Sequence, residues 1–371
     1  MLALGLLAGL LALAPIEAVP APRIVAVADV HGAAEAFASL LRRAALIDAQ
    51  QRWIGGNAIL VQTGDVTDRG PGVRAVLDLL MALEPQASAA GGRVQVLLGN
   101  HEVLNLLGET RDVSAEILES FADAQSGARI AQALETAGRI KRIPDKAAWV
   151  AAHPPGLLEY RDAFAPSGRY GKWLRSKPVL VEIGGTVFMH AGISPVLRAG
   201  SLDDVIRRVR RDLADWDAGV RWMEDRKLVA KSSSFQHTLT VASGEMSRLS
   251  ADLAAEGQPS TNDMRGLRML QSVADVGNSS LLAADGPLWF RGYATWTDDE
   301  GEAQMAALLK KYNVMRFVTG HTPQPAGRIT TRFGGSLFLI DTGMLDSHYF
   351  PGGRPAALEI TGDRAVPIYP E

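Results

Sequence analysis

The chain contains no cysteine in its 371 residues, which excludes disulfides, thiolate zinc sites and a cysteine nucleophile. Any metal must be held by His, Asp, Asn or Glu, a donor set suited to Mn, Fe, Zn or Mg rather than a soft ion. A dominant charge is also missing: 38 basic and 41 acidic residues leave a net charge of -3, so no bulk field favours nucleic acid. There is no internal repeat, and no low-complexity tract beyond the N-terminus. The uncharged Leu/Ala segment Met1 to Ala14 is too short to span a bilayer comfortably. Its length fits the core of a secretory signal, with small residues for cleavage at Ala18 and Ala21, although the usual preceding positive charge is absent. The expectation is a signal peptide over 1–21, a periplasmic or secreted mature protein, and no stable membrane span.

What the chain does have is five short segments, each pairing a hard or borderline ligand with glycine. They are Asp29-Val-His31-Gly, Gly64-Asp65-Val-Thr-Asp68-Arg69-Gly, Gly99-Asn100-His101-Glu102, Met189-His190-Ala-Gly192 and Gly320-His321-Thr. From Arg23 to Gly99 they punctuate a strand-helix alternation. Ile24 to Val27, Ala58 to Val61 and Val94 to Leu98 read as strands, while Phe37, Leu40, Leu41 and Ala44, then Val73, Val76, Leu77, Leu80 and Leu83, recur at helical spacing. This β-α-β-α-β order predicts a parallel sheet with right-handed crossovers, in which ligands gather at the carboxyl ends of strands. Asp29, Asp65 and Asn100 each fall just past such an end.

Residues 103–175 read as helical and irregular, with turns at Pro144, Pro154-Pro155 and Pro166. Val179 to Ile183 and Thr186 to Met189, separated by Gly184-Gly185, read as a hairpin that delivers His190. A helix is expected from Ser201, with Asp204 completing a capping box and Leu202, Val205, Val209, Leu213 and Trp216 on its apolar face. Its Arg207, Arg208, Arg210 and Arg211 form a solvated face. Residues 225–284 have weak periodicity and read as a mobile lid or an insertion. The sheet resumes at Val314 to Val318 and Leu337 to Ile340, and an extended tail runs from Ala356 to Ile368.

Phosphate-ester hydrolysis needs a nucleophile made from water, neutralisation of negative charge and protonation of the departing oxygen. Two divalent ions roughly 3.5 to 4 Å apart meet the first two needs. Asp65 is the candidate carboxylate between the ions; Asp29 and His31, two apart on an extended segment, hold one, and Asn100, His190 and His321 complete the other. A lone Asp at a strand end is often a helix cap, and Asp29 could serve the following helix in that way. Arg69 offers a planar fork to two phosphate oxygens. His101 stands next to a ligand without having to be one, so it can act as general acid, with Asp68 holding its other ring nitrogen. Four of the 7 histidines lie in these turns; His153, His237 and His348 receive no role.

The segments Gly64-Asp-Val-Thr-Asp-Arg-Gly70 and Gly99-Asn-His-Glu102 resemble the signatures of the phosphoprotein phosphatase family within the calcineurin-like metallophosphoesterases. Gly171-Lys-Trp-Leu-Arg-Ser-Lys-Pro178, Met189-His-Ala-Gly-Ile-Ser-Pro195 and Pro287-Leu-Trp-Phe-Arg-Gly292 resemble the bacterial-type branch known as Shewanella-like protein phosphatases. The resemblance covers about residues 23 to 345. It implies an α/β sandwich of two mixed β-sheets flanked by helices, as one domain over 22–371 with helical insertions at about 103–175 and 201–284. It also implies a dinuclear site built from Asp29, His31, Asp65, Asn100, His190 and His321, with Mn favoured. By the same resemblance His101 and Asp68 are the catalytic pair, and Arg69 and Arg291 grip phosphate; Arg265 or Arg268 could replace Arg291. Ala28 and Ala191 stand where the family commonly has glycine. Pro323 occupies a position where many other metallophosphoesterases have a histidine, which favours the phosphoprotein-phosphatase type of site. The implied activity is phosphomonoester hydrolysis directed at phosphorylated Ser, Thr or Tyr in proteins, by in-line attack without a phosphoenzyme. A hydrolase of dinucleoside polyphosphates or other small phosphate esters, and a non-catalytic binding scaffold, are the alternatives.

Overall fold

Residues 22–256, 260–345 and 348–370 are described by the computed structural model; the expected signal peptide, 1–21, lies outside them. Ten strands occur among these residues: β1 (Ile24–Val27), β2 (Ile59–Gln62), β3 (Arg93–Val96), β4 (Leu180–Ile183), β5 (Thr186–Met189), β6 (Arg316–Thr319), β7 (Thr330–Arg332), β8 (Leu337–Leu339), β9 (Ala357–Thr361) and β10 (Arg364–Ile368). They form two five-stranded sheets, ordered β10-β9-β1-β2-β3 and β4-β5-β6-β8-β7. β1, β2 and β3 are parallel, as the crossovers require. The extended tail is a hairpin that returns antiparallel onto β1, with Pro367 on the edge strand, where a missing N–H is tolerated. In the second sheet β5, β6 and β8 are parallel, and β4 and β7 pair antiparallel outside them. Both sheets are therefore mixed.

Why the strands read as unbroken apolar runs follows from their packing. All four residues of β1, β5 and β6 are buried, because each strand is covered on both faces. Ile24, Ala26, Val61, Phe188, Val318 and Leu358 point between the sheets. Their neighbours Val25, Val27, Leu60, Val187 and Phe317 point outward to a core shared with the helices. Gly184 and Gly185, at φ 57° and 76°, make the tight turn between β4 and β5.

The insertions are helical. The first contains helices Asn100–Leu106, Ala115–Phe121, Ser126–Ile140, Lys146–Ala151, Leu157–Phe164 and Arg169–Arg175. The second starts with Leu202–Asp225, whose N-terminus carries the expected Ser201/Asp204 capping box and whose buried stripe includes Val205, Val209, Leu213 and Trp216. Within residues 225–284, Phe235–Glu256 and Thr261–Ala274 pack as a helical hairpin, the latter on Leu202–Asp225, and neither contributes to the histidine cluster described below. Helix was expected across 201–284, but weak periodicity left the bounds of these two unread, Phe235–Glu256 being rich in small residues. Among the described residues no helix is long and apolar enough to cross a membrane.

A candidate metal centre at the strand ends

Five parallel strands from two stacked sheets end along one edge, and each is followed within a few residues by a candidate ligand: Asp29 after β1, Asp65 after β2, Asn100 after β3, His190 after β5 and His321 after β6. The sandwich thus joins residues far apart in the chain. His321 N–H donates to Asp29 Oδ1 at 3.0 Å across 292 positions, and His190 Nε2 lies 2.7 Å from Asn100 Oδ1. Asp29 caps no helix; the following helix, Ala34–Arg43, begins after Ala33 without a side-chain cap.

One expectation about local geometry is corrected. His31 is not on an extended segment: its φ is 44°, and the Val30 and His31 amides both donate to Asp65 O at 2.9 Å. Asp29 and His31 are brought together by a turn tied to the β2 loop, not by strand alternation. Asp65, Asp68, Arg69 and His321 likewise have positive φ, between 57° and 68°. Backbone in this region costs energy for non-glycine residues and persists only where surroundings impose it. Here the surroundings are glycines: a Cβ on Gly64 would meet Gly99 N at 2.4 Å, and one on Gly99 would meet Asp65 Oδ1 at 2.2 Å.

The protonation pattern follows from the hydrogen bonds. His31 Nδ1 faces Thr67 O at 2.9 Å, His190 Nδ1 faces Thr63 O at 3.2 Å and His321 Nε2 faces Trp289 O at 3.2 Å. Each carbonyl takes the ring N–H and leaves the other nitrogen as a lone pair. Those free nitrogens converge. His190 Nε2 and His321 Nδ1 are 3.0 Å apart, and Asp65 Oδ1 is 3.4 Å from His190 Nε2. Asp65 Oδ2 is 3.5 Å from His31 Nε2. At His190 and His321 a lone pair meets a lone pair beside the Asp65 carboxylate with no proton to share, which makes a cation site, while His31 Nε2 accepts from Arg69 Nη1 at 2.7 Å. Asp65 belongs to two groupings, one with His31 and His101 and one with His190 and His321. Burial is the largest cause holding His190 down to about 4 and His321 down to about 2, and it holds His31 well below its usual range. Neutral imidazoles are what a metal needs. Burial, then the Asp29 charge, pushes Asp65 well up, a repulsion that divalent cations would reverse.

Beside this cluster, His101 Nδ1 faces Asp68 Oδ2 at 2.6 Å, and Arg69 Nη1 and Nη2 reach His31 Nε2 at 2.7 Å and His101 Nε2 at 3.2 Å. Arg291 Nη1 donates to His321 O at 2.9 Å and Thr322 Oγ1 at 3.1 Å, which brings it to the cluster's rim. Arg265 and Arg268 are exposed on Thr261–Ala274, with Arg265 beside Trp222, and are not brought there. His153 is structural, lying between Trp149 O and Ser232 O, and His237 is exposed.

Three supporting residues have no specific role in the sequence reading, although Glu102 stands in one of its five segments. Glu102 accepts the Asp65, Val66, Thr67 and Gly99 amides and the Thr67 hydroxyl at 2.7 to 3.0 Å. Asn105, one turn after His101, donates to Asp68 Oδ1 at 2.8 Å and accepts from Tyr160 OH at 2.7 Å. Asp341 follows parallel strand β8, repeating the strand, acid and glycine pattern with Gly343. Its carboxyl interacts with Asp29, is pushed well up by burial and then by that charge, and leaves Oδ2 buried without a partner. The strand-end rule, applied to Leu337–Ile340, would have found it.

The model of the calcineurin-like phosphoesterase family matches residues 22–245. The chain is similar to Shewanella-like protein phosphatase 1 of Plasmodium berghei, 25% identical over 325 residues, covering 87% of this chain and 67% of that protein. It is also similar to Shewanella-like protein phosphatase 2 of Arabidopsis thaliana, 29% identical over 209 residues, covering 54% of this chain and 52% of that one. Among solved structures, a mutant of the cold-active protein tyrosine phosphatase shares the fold, with a TM-score of 0.60 at 24% identity over 94% of this chain and 78% of that chain. The cold-active protein-tyrosine phosphatase of a psychrophilic Shewanella species matches with a TM-score of 0.55 at 24% identity, over the same shares of the two chains. With the family model spanning more than half of the chain and the divalent-metal donor set at its strand ends, the protein is a phosphatase belonging to the calcineurin-like phosphoesterase family.

Proposed function

We propose that the chain is a protein phosphatase that removes phosphate from Ser, Thr or Tyr side chains using two divalent ions, with manganese the favoured metal. The observation that carries the catalytic part is the 2.6 Å contact of His101 with Asp68 at the edge of the cluster organised by Asp65. Asp29, His31 and Asp65 would hold one ion and Asp65, Asn100, His190 and His321 the other. Bound there, the ions would acidify water and neutralise phosphoryl oxygens. Arg69 and Arg291 approach from opposite ends of the cluster, over His31 with His101 and over His321, and orient the phosphate. His101 protonates the departing oxygen from Nε2, while Asp68 holds the ring through Nδ1 and stabilises the imidazolium before transfer. Attack is by water, in line and without a phosphoenzyme intermediate. The protein-directed substrate is supported by the names of the relatives, and export by the apolar segment at residues 1–14.

A panel of phosphoserine, phosphothreonine and phosphotyrosine peptides, dinucleoside polyphosphates and an aryl phosphate, each with Mn, Fe, Zn and Mg, tests this. Preference for phosphopeptides with Mn is expected. A higher kcat/KM on dinucleoside polyphosphates would overturn the substrate assignment, and inactivity on every member would overturn the catalytic one.

A further inference from the structure

At the carboxyl end of the helix Asn100–Leu106 a cavity of about 490 Å³ opens between the two helical insertions. Its size is within the range of small-molecule sites. Phe164, Trp216, Val220 and Phe235 supply apolar wall, and among the charged residues around it Arg161, Arg175, Arg221 and Lys231 stand against Asp162, Asp217, Glu224 and Asp225. Arg175 pairs with both oxygens of Asp217 at 2.7 and 2.8 Å. Lys231 offsets Asp162 and Glu224, both of which burial pushes up.

Arg161 stands apart from the other bases by its buried Nε. Its Nη1 donates to Ser232 O at 2.9 Å, its Nε is buried without an acceptor, and among the described residues it forms no ion pair. Burial pulls its guanidinium below the usual range, with only the charge of Glu109 acting against this. Arg161 is half-buried, and of its five N–H donors the one on the buried Nε has no acceptor, a cost that an anion entering beside it would relieve. The cavity also has a short connection to the catalytic pair. Asn105 is in its wall, and the Asn105 amide donates to Asp68, which holds His101.

From these observations we infer that the cavity is an effector site for a small organic anion, whose carboxylate or phosphate-like head pairs with Arg161 while an apolar body lies against Phe164, Trp216 and Phe235. Occupancy acts on His101 through Asn105 and Asp68. The binding half stands on the cavity alone; the catalytic half rests on the proposed role of His101.

The test is calorimetry on the full, metal-loaded chain with 3-phenylpropionate, 4-phenylbutyrate, hexanoate and phenylphosphonate, and with 3-phenylpropionamide as the uncharged control. Saturable binding of at least one anion is expected, weakened about tenfold or more in the amide and in Arg161→Met, together with an altered kcat on an aryl phosphate that Arg161→Met no longer shows. Val220→Trp fills the cavity without removing a polar group; it should block binding equally and serves if Arg161→Met fails to fold by circular dichroism. The inference is overturned if none of the anions binds at millimolar concentration, if both variants bind as well as the parent, or if a bound anion leaves kcat unchanged. Calorimetry reads binding whether or not His101 is the acid, so failure of the catalytic assignment is recognisable separately.

Discussion

Glu102 Oε2 accepts the Asp65 amide at 2.7 Å across 37 positions, so the residue shared by the two candidate metal positions is held by a carboxylate from the first turn of the helix Asn100–Leu106. The other oxygen takes the next two amides, and the whole carboxylate is buried. Together with the close approach of Gly64 and Gly99, a carboxylate gathering three consecutive N–H groups holds the positive φ of Asp65.

Glu102→Gln should therefore damage the site without touching a ligand. Whichever way the amide is turned, its NH2 faces backbone donors, and a broken buried network of this kind costs about 3 kcal/mol. A lower midpoint in urea together with weaker Mn retention is expected. Unchanged stability would remove Glu102 from this role.

Asp65→Asn and His101→Asn should separate binding from chemistry. Asp65 belongs to both ligand groupings, so its variant should lose metal and activity together. His101→Asn should retain metal, measured by elemental analysis, and lose turnover by about 10² or more, as for a missing general acid. Aryl phosphates with good leaving groups should suffer least, and full activity in His101→Asn would refute the assignment.

The acid side of the stability profile should depend on metal. His190, at about 4 in the fold against an ordinary 6.5, and His321, at about 2, bind fewer protons folded than unfolded. Their contribution is present above 6.5 and is lost as pH falls towards the folded values. Asp65 and Asp341 are raised, so in the metal-free protein they bind more protons folded than unfolded and oppose that loss. Divalent ions demand ionised carboxylate as well as neutral imidazole, which removes the opposition. The difference in Tm between Mn-loaded and chelated protein should shrink as pH drops from 6.5 to 4. A difference that stays constant over this window would contradict the ligand set.

Gly99→Ala should be costly although it adds one methyl group. The new Cβ would lie 2.2 Å from Asp65 Oδ1 and 2.5 Å from Asp65 N, both fixed by other bonds. Overpacking at such a point costs about 1 to 3 kcal/mol. Gly138→Ala, where a Cβ would meet nothing within 4 Å, is the matched control and should be neutral or slightly stabilising in the same denaturation series.

Much of the site was legible in the chain because its chemistry is carried by residue types next to glycines at strand ends. Asp29, Asp65, Asn100, His190 and His321 were readable in this way, and so was the pairing of His101 with Asp68. The three parallel strands of the first sheet followed from the strand-helix alternation. Glu102 and Asn105 were harder, since their partners are backbone amides and another side chain's carboxylate, neither of which leaves a pattern in sequence. The turn at His31 was misread because alternation was assumed where two amides bonding to Asp65 O override it. Asp341 was missed for a lesser reason: its short strand, three residues long, carried no histidine to attract notice.

By itself the sequence determined which donor atoms exist, that none of them is sulfur, and that they fall at strand ends where backbone can turn sharply. Tertiary structure alone decided which of them meet. Stacking two mixed sheets with their parallel strands ending along one edge places His321 against Asp29 and His190 against Asn100, and brings Arg291 rather than Arg265 to the rim by a bond to His321 O. These contacts span from 30 to 292 positions, a separation over which local propensity carries no information and only the packed core sets the distance.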